Sequence, residues 1–332
     1  MSKMKNRIDD LANRLSREGR AGDIEAQLPR LRNQRLNNDE LESWHHLWGI
    51  VAFQRGDHAT ALSRFEEGAQ VCPSSGVIRF SLAQERLFLN DRERAFLDFD
   101  ELLFPGVPRD YALAAARYAY LWDELDRGWR YAYAFLPEYF KLGIADDHFL
   151  YVRGLPFFGQ TWAYLAAFAI LAKRLEELSA ITVDAEKRLS EFDFSELKLR
   201  LQGYESGNLT PWLTSVEEEA RRAEREGWPE GYPSMQAAAI AAHINVNMTA
   251  ARQRLESVKL TEKDFAWLAD IRTLALCELA SHAGDGEGEK RLKSVFLTRQ
   301  PLLFEPDHAV NFDVLGYQEL LKRDVCASWP PR

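Results

Sequence analysis

Cysteine is scarce in this chain, with only Cys72, Cys277 and Cys326 in 332 residues. They are odd in number, far apart and without a Cys-x-x-Cys spacing, which excludes a disulfide framework and a cysteine zinc site and fits reduced thiols. Valine and isoleucine are also thin, and alternating apolar stretches of strand length are almost absent, which argues against a substantial sheet. Thirteen prolines and nineteen glycines are too few for a low-complexity chain. The longest apolar run, Trp162 to Ala172, falls short of the roughly 20 residues a bilayer crossing needs, so no membrane insertion is expected. The basic opening Met1–Arg7 runs straight into Ile8-Asp9-Asp10 with no apolar segment behind it. That opening gives no support for a secretory signal, and the expected location is cytoplasmic.

Motifs of the common enzyme classes are missing too. There is no Gly-x-Ser-x-Gly elbow, His-Glu-x-x-His helix, phosphate-binding lysine loop or dinucleotide fingerprint. The net charge of −9 excludes general nucleic-acid binding, which needs concentrated Lys and Arg. The charge is uneven: residues 1–36 carry nine Lys/Arg against five Asp/Glu, leaving −13 for the rest. That basic arm is either a solvated helix face or a contact for an acidic partner. The expectation is a non-enzymatic protein with no cofactor and no metal.

What the sequence has is helix and a repeat. Ala, Leu, Glu and Arg dominate the long segments. Between residues 42 and 108 one shift of 34 aligns Trp48 with Leu82, Gly49 with Ala83, Gly56 with Asn90, Ala61 with Ala95 and Phe65 with Phe99. Each half reads as helix, Gly- or Asn-containing turn, helix and proline break, at Pro73 and then at Pro105 or Pro108. The small residues let paired helices approach, and the phenylalanines fill the space between successive pairs. A two-helix unit cannot bury its apolar face alone, so such units stack. A third unit is predicted with Ala132 and Leu136 displaced by 37, the loop Phe104–Arg109 absorbing the extra residues.

With Trp48-Gly49, Gly56-Asp57, Ala61-Leu62, Phe65 and Pro73, and more weakly Leu82-Ala83, Asn90-Asp91, Ala95 and Phe99, the chain resembles the tetratricopeptide repeat family. The clear resemblance covers about a fifth of the chain. It implies an all-α fold: a right-handed α-α superhelix of stacked antiparallel helix pairs that binds a protein or peptide as an adaptor or regulator. The expected organisation is a helical cap over 1–36, repeats over 37–140, an aromatic-rich joint and helix over 141–183, degenerate pairs over 184–300, and a cap or tail over 301–332. Helices are predicted at Gln160–Leu178, Asp184–Gln202, Pro211–Glu226, Ser234–Asn245, Thr249–Val258, Glu262–Ala280 and Glu287–Thr298.

In that family the concave groove is lined mainly by the first helix of each pair. The resemblance therefore implies a partner surface of His46, Phe53, Gln54, Phe80, Gln84 and Phe88, with Arg117 from a third unit. The Lys/Asn clamp used for acidic carboxy-terminal tails is absent, since His46, Ile50, Phe80 and Gln84 stand in the corresponding places. Binding through aromatic and aliphatic contact with a few amide hydrogen bonds is expected. An alternative site is the joint Tyr131–Phe168, dense in aromatics around Gly143, Gly154, Pro156 and Gly159: it reads as core, or as the pocket of a helical enzyme or small-ligand binder using Asp146, Asp147 or His148. Asp98 and Asp100 bracket Phe99, which the repeat puts in the core, and both acids are expected on a solvated face. Gly284–Gly288 is read as a turn, because its acids would repel phosphate.

Overall fold

The computed structural model of the chain describes residues 3–18, 21–32, 35–142, 161–189, 194–227, 231–244, 248–260 and 268–298. Among the described residues regular structure is helical throughout, with no strand. None of these helices is long and apolar enough to cross a membrane. The tail 301–332 and the core of the aromatic joint, with Asp146, Asp147, His148, Phe149, Tyr151, Phe157 and Phe158, lie outside the described residues. Contacts divide the chain into two units, one through Ala115 and one from Ala116 onward.

The first unit opens with α1 (Lys3–Glu18), α2 (Ala21–Glu25) and α3 (Leu28–Arg32). Their apolar faces, Ile8, Leu11, Leu15, Ile24, Leu28 and Leu31, close over Trp44, Leu47 and Val51 of α4 (Asn38–Gln54). Trp44 Nε1–H donates to the Leu28 carbonyl at 2.9 Å, which satisfies the one polar atom of a side chain otherwise sealed in apolar contact. A capping box starts α4: Glu40 N–H donates to Asn37 Oδ1 and Asn37 N–H to Glu40 Oε2. Three further helices follow, α5 (His58–Val71), α6 (Gly76–Phe88) and α7 (Arg92–Asp100), capped by Asp57, Ser75 and Asp91. Helix α4 packs along α5 and against α6, α5 packs against α6, and α6 packs along α7.

The predicted 34-residue correspondences are visible as paired geometry. Gly56 and Asn90 both take left-handed backbone, φ 73° and 61°. In each turn the following amide bonds back five residues, Asp57 to Ala52 and Asp91 to Arg86, closing a Schellman motif. Ala61, Phe65, Ala83, Ala95 and Phe99 are all at most 1% exposed. Gly49 is where the pair is tightest: a Cβ there would lie 2.2 Å from the Phe65 ring.

The same turn recurs beyond the detected repeat. Helix α8 (Asp110–Leu121) straddles the division between units, and in the second unit follow α9 (Leu125–Leu142), α10 (Thr161–Leu171), α11 (Leu175–Arg188), α12 (Ser195–Ser206), α13 (Thr210–Glu226), α14 (Gly231–Ile244), α15 (Met248–Ser257), α16 (Leu268–His282) and α17 (Gly286–Thr298). Asp123, Lys173 and Gly284 are left-handed, and Glu124, Arg174 and Asp285 donate back to Ala119, Ala169 and Ala280. Seven residues ahead of the left-handed residue in each of these five turns stands a small buried one: Gly49, Ala83, Ala116, Ala166 and Cys277. A Cβ on Gly128 would meet the Phe168 ring at 2.2 Å, the same device as Gly49 on Phe65.

Several sequence expectations change here. The third turn follows the second by 33 residues, so Gly128 and Ala132, and not Ala132 and Leu136, occupy the places of Ala95 and Phe99. The displacement of 37 came from matching side-chain size across a position where the chain substitutes glycine. The predicted helix Gln160–Leu178 is broken at Lys173, φ 57°, and the predicted helix Asp184–Gln202 is interrupted too, since α11 ends at Arg188 and α12 begins at Ser195. The expected boundary at 183/184 therefore falls inside α11. Lys173 carries none of the Gly or Asn signal that marks such turns, and the hydrogen bond from Arg174 to Ala169, 2.7 Å, holds the strained residue in place.

Helices of the second unit pack in chain order from α9 to α17, with α10 also on α12 and α14 on α16. Tyr131, Phe135, Tyr139, Tyr164 and Phe168 are at most 1% exposed, so these rings of the aromatic joint are core, while Tyr133 is exposed. Trp162 stands edge-on to Tyr139 and Phe194, at 5.9 and 5.1 Å.

Exchanging Gly49 for alanine gains about 0.5–1 kcal/mol of helix preference. Overpacking against a fixed ring costs about 1–3 kcal/mol. Gly49→Ala is expected to lose about 1–2 kcal/mol net in urea unfolding, whereas Gly22→Ala, with nothing within 4 Å of the added Cβ, is expected to lose none. Equal stability of Gly49→Ala and the parent would contradict the close contact.

Candidate partner-binding surface

The turn at Gly56 brings the last turn of α4 and the first residue of α5 to the end of α6. There Phe53 and Phe88 meet edge-to-face with centroids 4.7 Å apart. His58 stands edge-on to Phe53 at 5.7 Å and stacks on Phe88 at 5.9 Å. All three are half-buried. His58 Nδ1 and Glu85 Oε1 share a hydrogen bond of 2.7 Å, the imidazole being 36% exposed and the carboxylate 1%. Desolvation raises the pKa of Glu85, with the hydrogen bond and charge of His58 opposing. Its second oxygen, Oε2, is buried without a hydrogen-bond partner. The cluster is a small aromatic shelf beside a buried carboxylate, one oxygen of which has no hydrogen-bond partner.

Among the residues proposed from sequence, Phe53 and Phe88 are thus brought together and Gln54 is exposed beside them on α4. Gln84 is half-buried on α6. Phe80 lies elsewhere, packed at 5.7 Å on the buried Phe99 and at 5.6 Å on Tyr111, so its ring is shared with helix packing. His46 tilts against Phe65 at 6.4 Å, and burial lowers its pKa to about 4, which keeps the ring neutral. Arg117 is half-buried in the second unit. His58 and Glu85 were not singled out in the sequence. The available signal was a glutamate one turn before Phe88 on a helix side otherwise filled by Ile78 and Leu82, where a solvated acid has no place.

Asp98 corrects a further expectation. It is 7% exposed, not on a solvated face, because it points toward α6, where Arg86 Nη1 approaches its Oδ2 to 3.0 Å. Arg86 also donates through Nη2 to Glu66, at 3.1 Å. Phe99 beside it is core, as the repeat requires. Desolvation, opposed by Arg86 and Arg79, raises the Asp98 pKa from 3.8 to about 6. No family model, curated protein or solved structure matches this chain.

The raised pKa has a definite sign. Folding favours protonated Asp98, so its contribution is complete near pH 4 and is lost as pH rises through about 6. His46 acts oppositely, contributing above pH 6.5 and losing its contribution toward pH 4. The stability difference between the parent and Asp98→Asn isolates the first effect. It is expected to fall by about 2 kcal/mol from pH 4 to pH 6.5, and a flat difference would contradict the burial of Asp98.

Proposed function

We propose that this chain is a tetratricopeptide-like, right-handed α-α superhelix that works as a non-enzymatic adaptor in the cytoplasm, holding a protein or peptide segment without a cofactor. The repeated turns, the small residues seven positions before them and the paired Phe65 and Phe99 support the repeat reading. One observation carries the binding reading: Phe53, His58 and Phe88 keep exposed ring surface above Glu85, whose Oε2 lacks a donor. A folded protein gains nothing by leaving such a carboxylate half-satisfied, whereas a partner that brings an apolar side chain and an N–H fills both needs. Aromatic rings of this kind anchor interfaces, and a basic clamp for an acidic tail has no counterpart here.

The test is affinity capture from the source lysate with the parent and with Phe53→Ala/Phe88→Ala. A partner held by the parent is expected to bind the double variant more weakly by about 1–3 kcal/mol, with far-ultraviolet circular dichroism unchanged. An identical set of bound proteins for both would contradict this surface. Phe80→Ala is the contrast: its ring packs on Phe99, so it is expected to lower the melting temperature first.

A further inference from the structure

A second site lies in the first unit, and none of Phe53, His58, Glu85 or Phe88 lines it. Residues of α3, α4 and α5 enclose a cleft of about 420 Å³, with Arg32, Trp48, His45, Arg64, Glu67 and Val71 on its walls. That volume is in the range of small-molecule sites. His45 is 3% exposed, yet neither Nδ1 nor Nε2 completes a hydrogen bond, although the Arg64 carbonyl approaches. The Nε of Arg64 is also buried without a partner. Polar atoms placed this way are ordinarily hydrogen-bonded, and both residues stand in the wall of the one cleft, which marks a place for a ligand.

The donors are held in place. Arg64 stands over Trp48 with Cζ 4.0 Å from the ring centroid, and its Nη1 donates to Glu67 Oε2 at 2.7 Å. Arg32 stands 5.6 Å from the Trp44 ring. His45 is fixed by close approach to Gly68, where a Cβ would come within 2.9 Å of His45 Cβ. Desolvation first, then Arg32 and Arg64, lower the His45 pKa against the pull of Glu67 and of the Arg64 carbonyl, so the ring is neutral. Two guanidinium groups against one carboxylate leave a single positive charge. That suits a carboxylate, while Glu67 would repel a phosphate dianion. Trp48 and the exposed Val71 supply an apolar wall.

We infer that this cleft binds an apolar carboxylic acid, its carboxylate received by the Arg32 and Arg64 guanidiniums, and its hydrocarbon body laid against Trp48 and Val71. The carboxylate belongs either to a free acid or to the carboxy-terminus of a peptide. Titration calorimetry of the full chain with 3-phenylpropanoate and with 3-phenylpropanamide tests the charge. The acid is expected to bind at least about tenfold more tightly than the amide. Arg32→Gln, at an exposed residue, and Arg64→Lys, which keeps the charge but removes Nε, are each expected to weaken the acid about tenfold or more. Phe53→Ala/Phe88→Ala is expected to leave it unchanged, which separates this site from the partner surface. Acetyl-Leu-Phe with a free and with an amidated carboxy-terminus distinguishes the sources: binding of the free form only admits a chain end, and binding of neither confines the cleft to small acids. Equal affinity of acid and amide, unaltered affinity in both arginine variants, or no heat from 3-phenylpropanoate at millimolar concentration would overturn the inference, the last meaning a cleft that holds water alone.

Discussion

Close approach of paired helices at small residues is the constraint on which the rest of the structure depends. Where Gly49 meets Phe65 there is no room for a methyl group, and the same is true of Gly128 against Phe168. The Gly49 contact is followed seven positions later by the left-handed Gly56, which reverses the chain with carbonyls of the helix end satisfied, whereas Gly128 stands five positions after the left-handed Asp123, early in the helix that turn opens. The turn fixes which residues of the next helix face back. Without the small residue the pair would open, and without the turn the pair would lose its register. The interior is close-packed, so neither change is absorbed locally.

That geometry positions the candidate surface. Phe53 sits three residues before Gly56 and His58 two after it, so the reversal places both rings at one end of the pair. Phe88 stands two residues before Asn90 on the next pair, and Glu85 one turn earlier is paired with His58. The aromatic shelf is a by-product of the turns, with its chemistry supplied by a buried acid. The cleft at His45 has a different origin: the short helices α2 and α3 cover Trp44 but leave Trp48, Arg64 and His45 facing an opening.

The helical class and the first two pairs were legible in the sequence, because Gly56, Asn90, Ala61, Ala95, Phe65 and Phe99 each act through size or backbone freedom, properties a sequence displays. The turn at Lys173 was not, since any residue adopts left-handed backbone when hydrogen bonds compensate its strain of roughly 1–2 kcal/mol. The third pair was misaligned because Gly128 takes the small-residue place and the large ring comes from Phe168, in a different helix. Of the surface, Phe53 and Phe88 were legible through the repeat. Glu85, Asp98 and His45 were not, because a charged or polar side chain reads as solvated until its burial is known, and burial comes from helices distant in sequence.

Amide hydrogen exchange with and without a captured partner tests the central claim most directly, since it reports where a segment docks without altering a residue. The account requires new protection concentrated at residues 53–58 and 85–91, the two turns and the helix end that carry Phe53, His58, Glu85 and Phe88. Protection confined to α13–α17 of the second unit, with these turns unchanged, would contradict it.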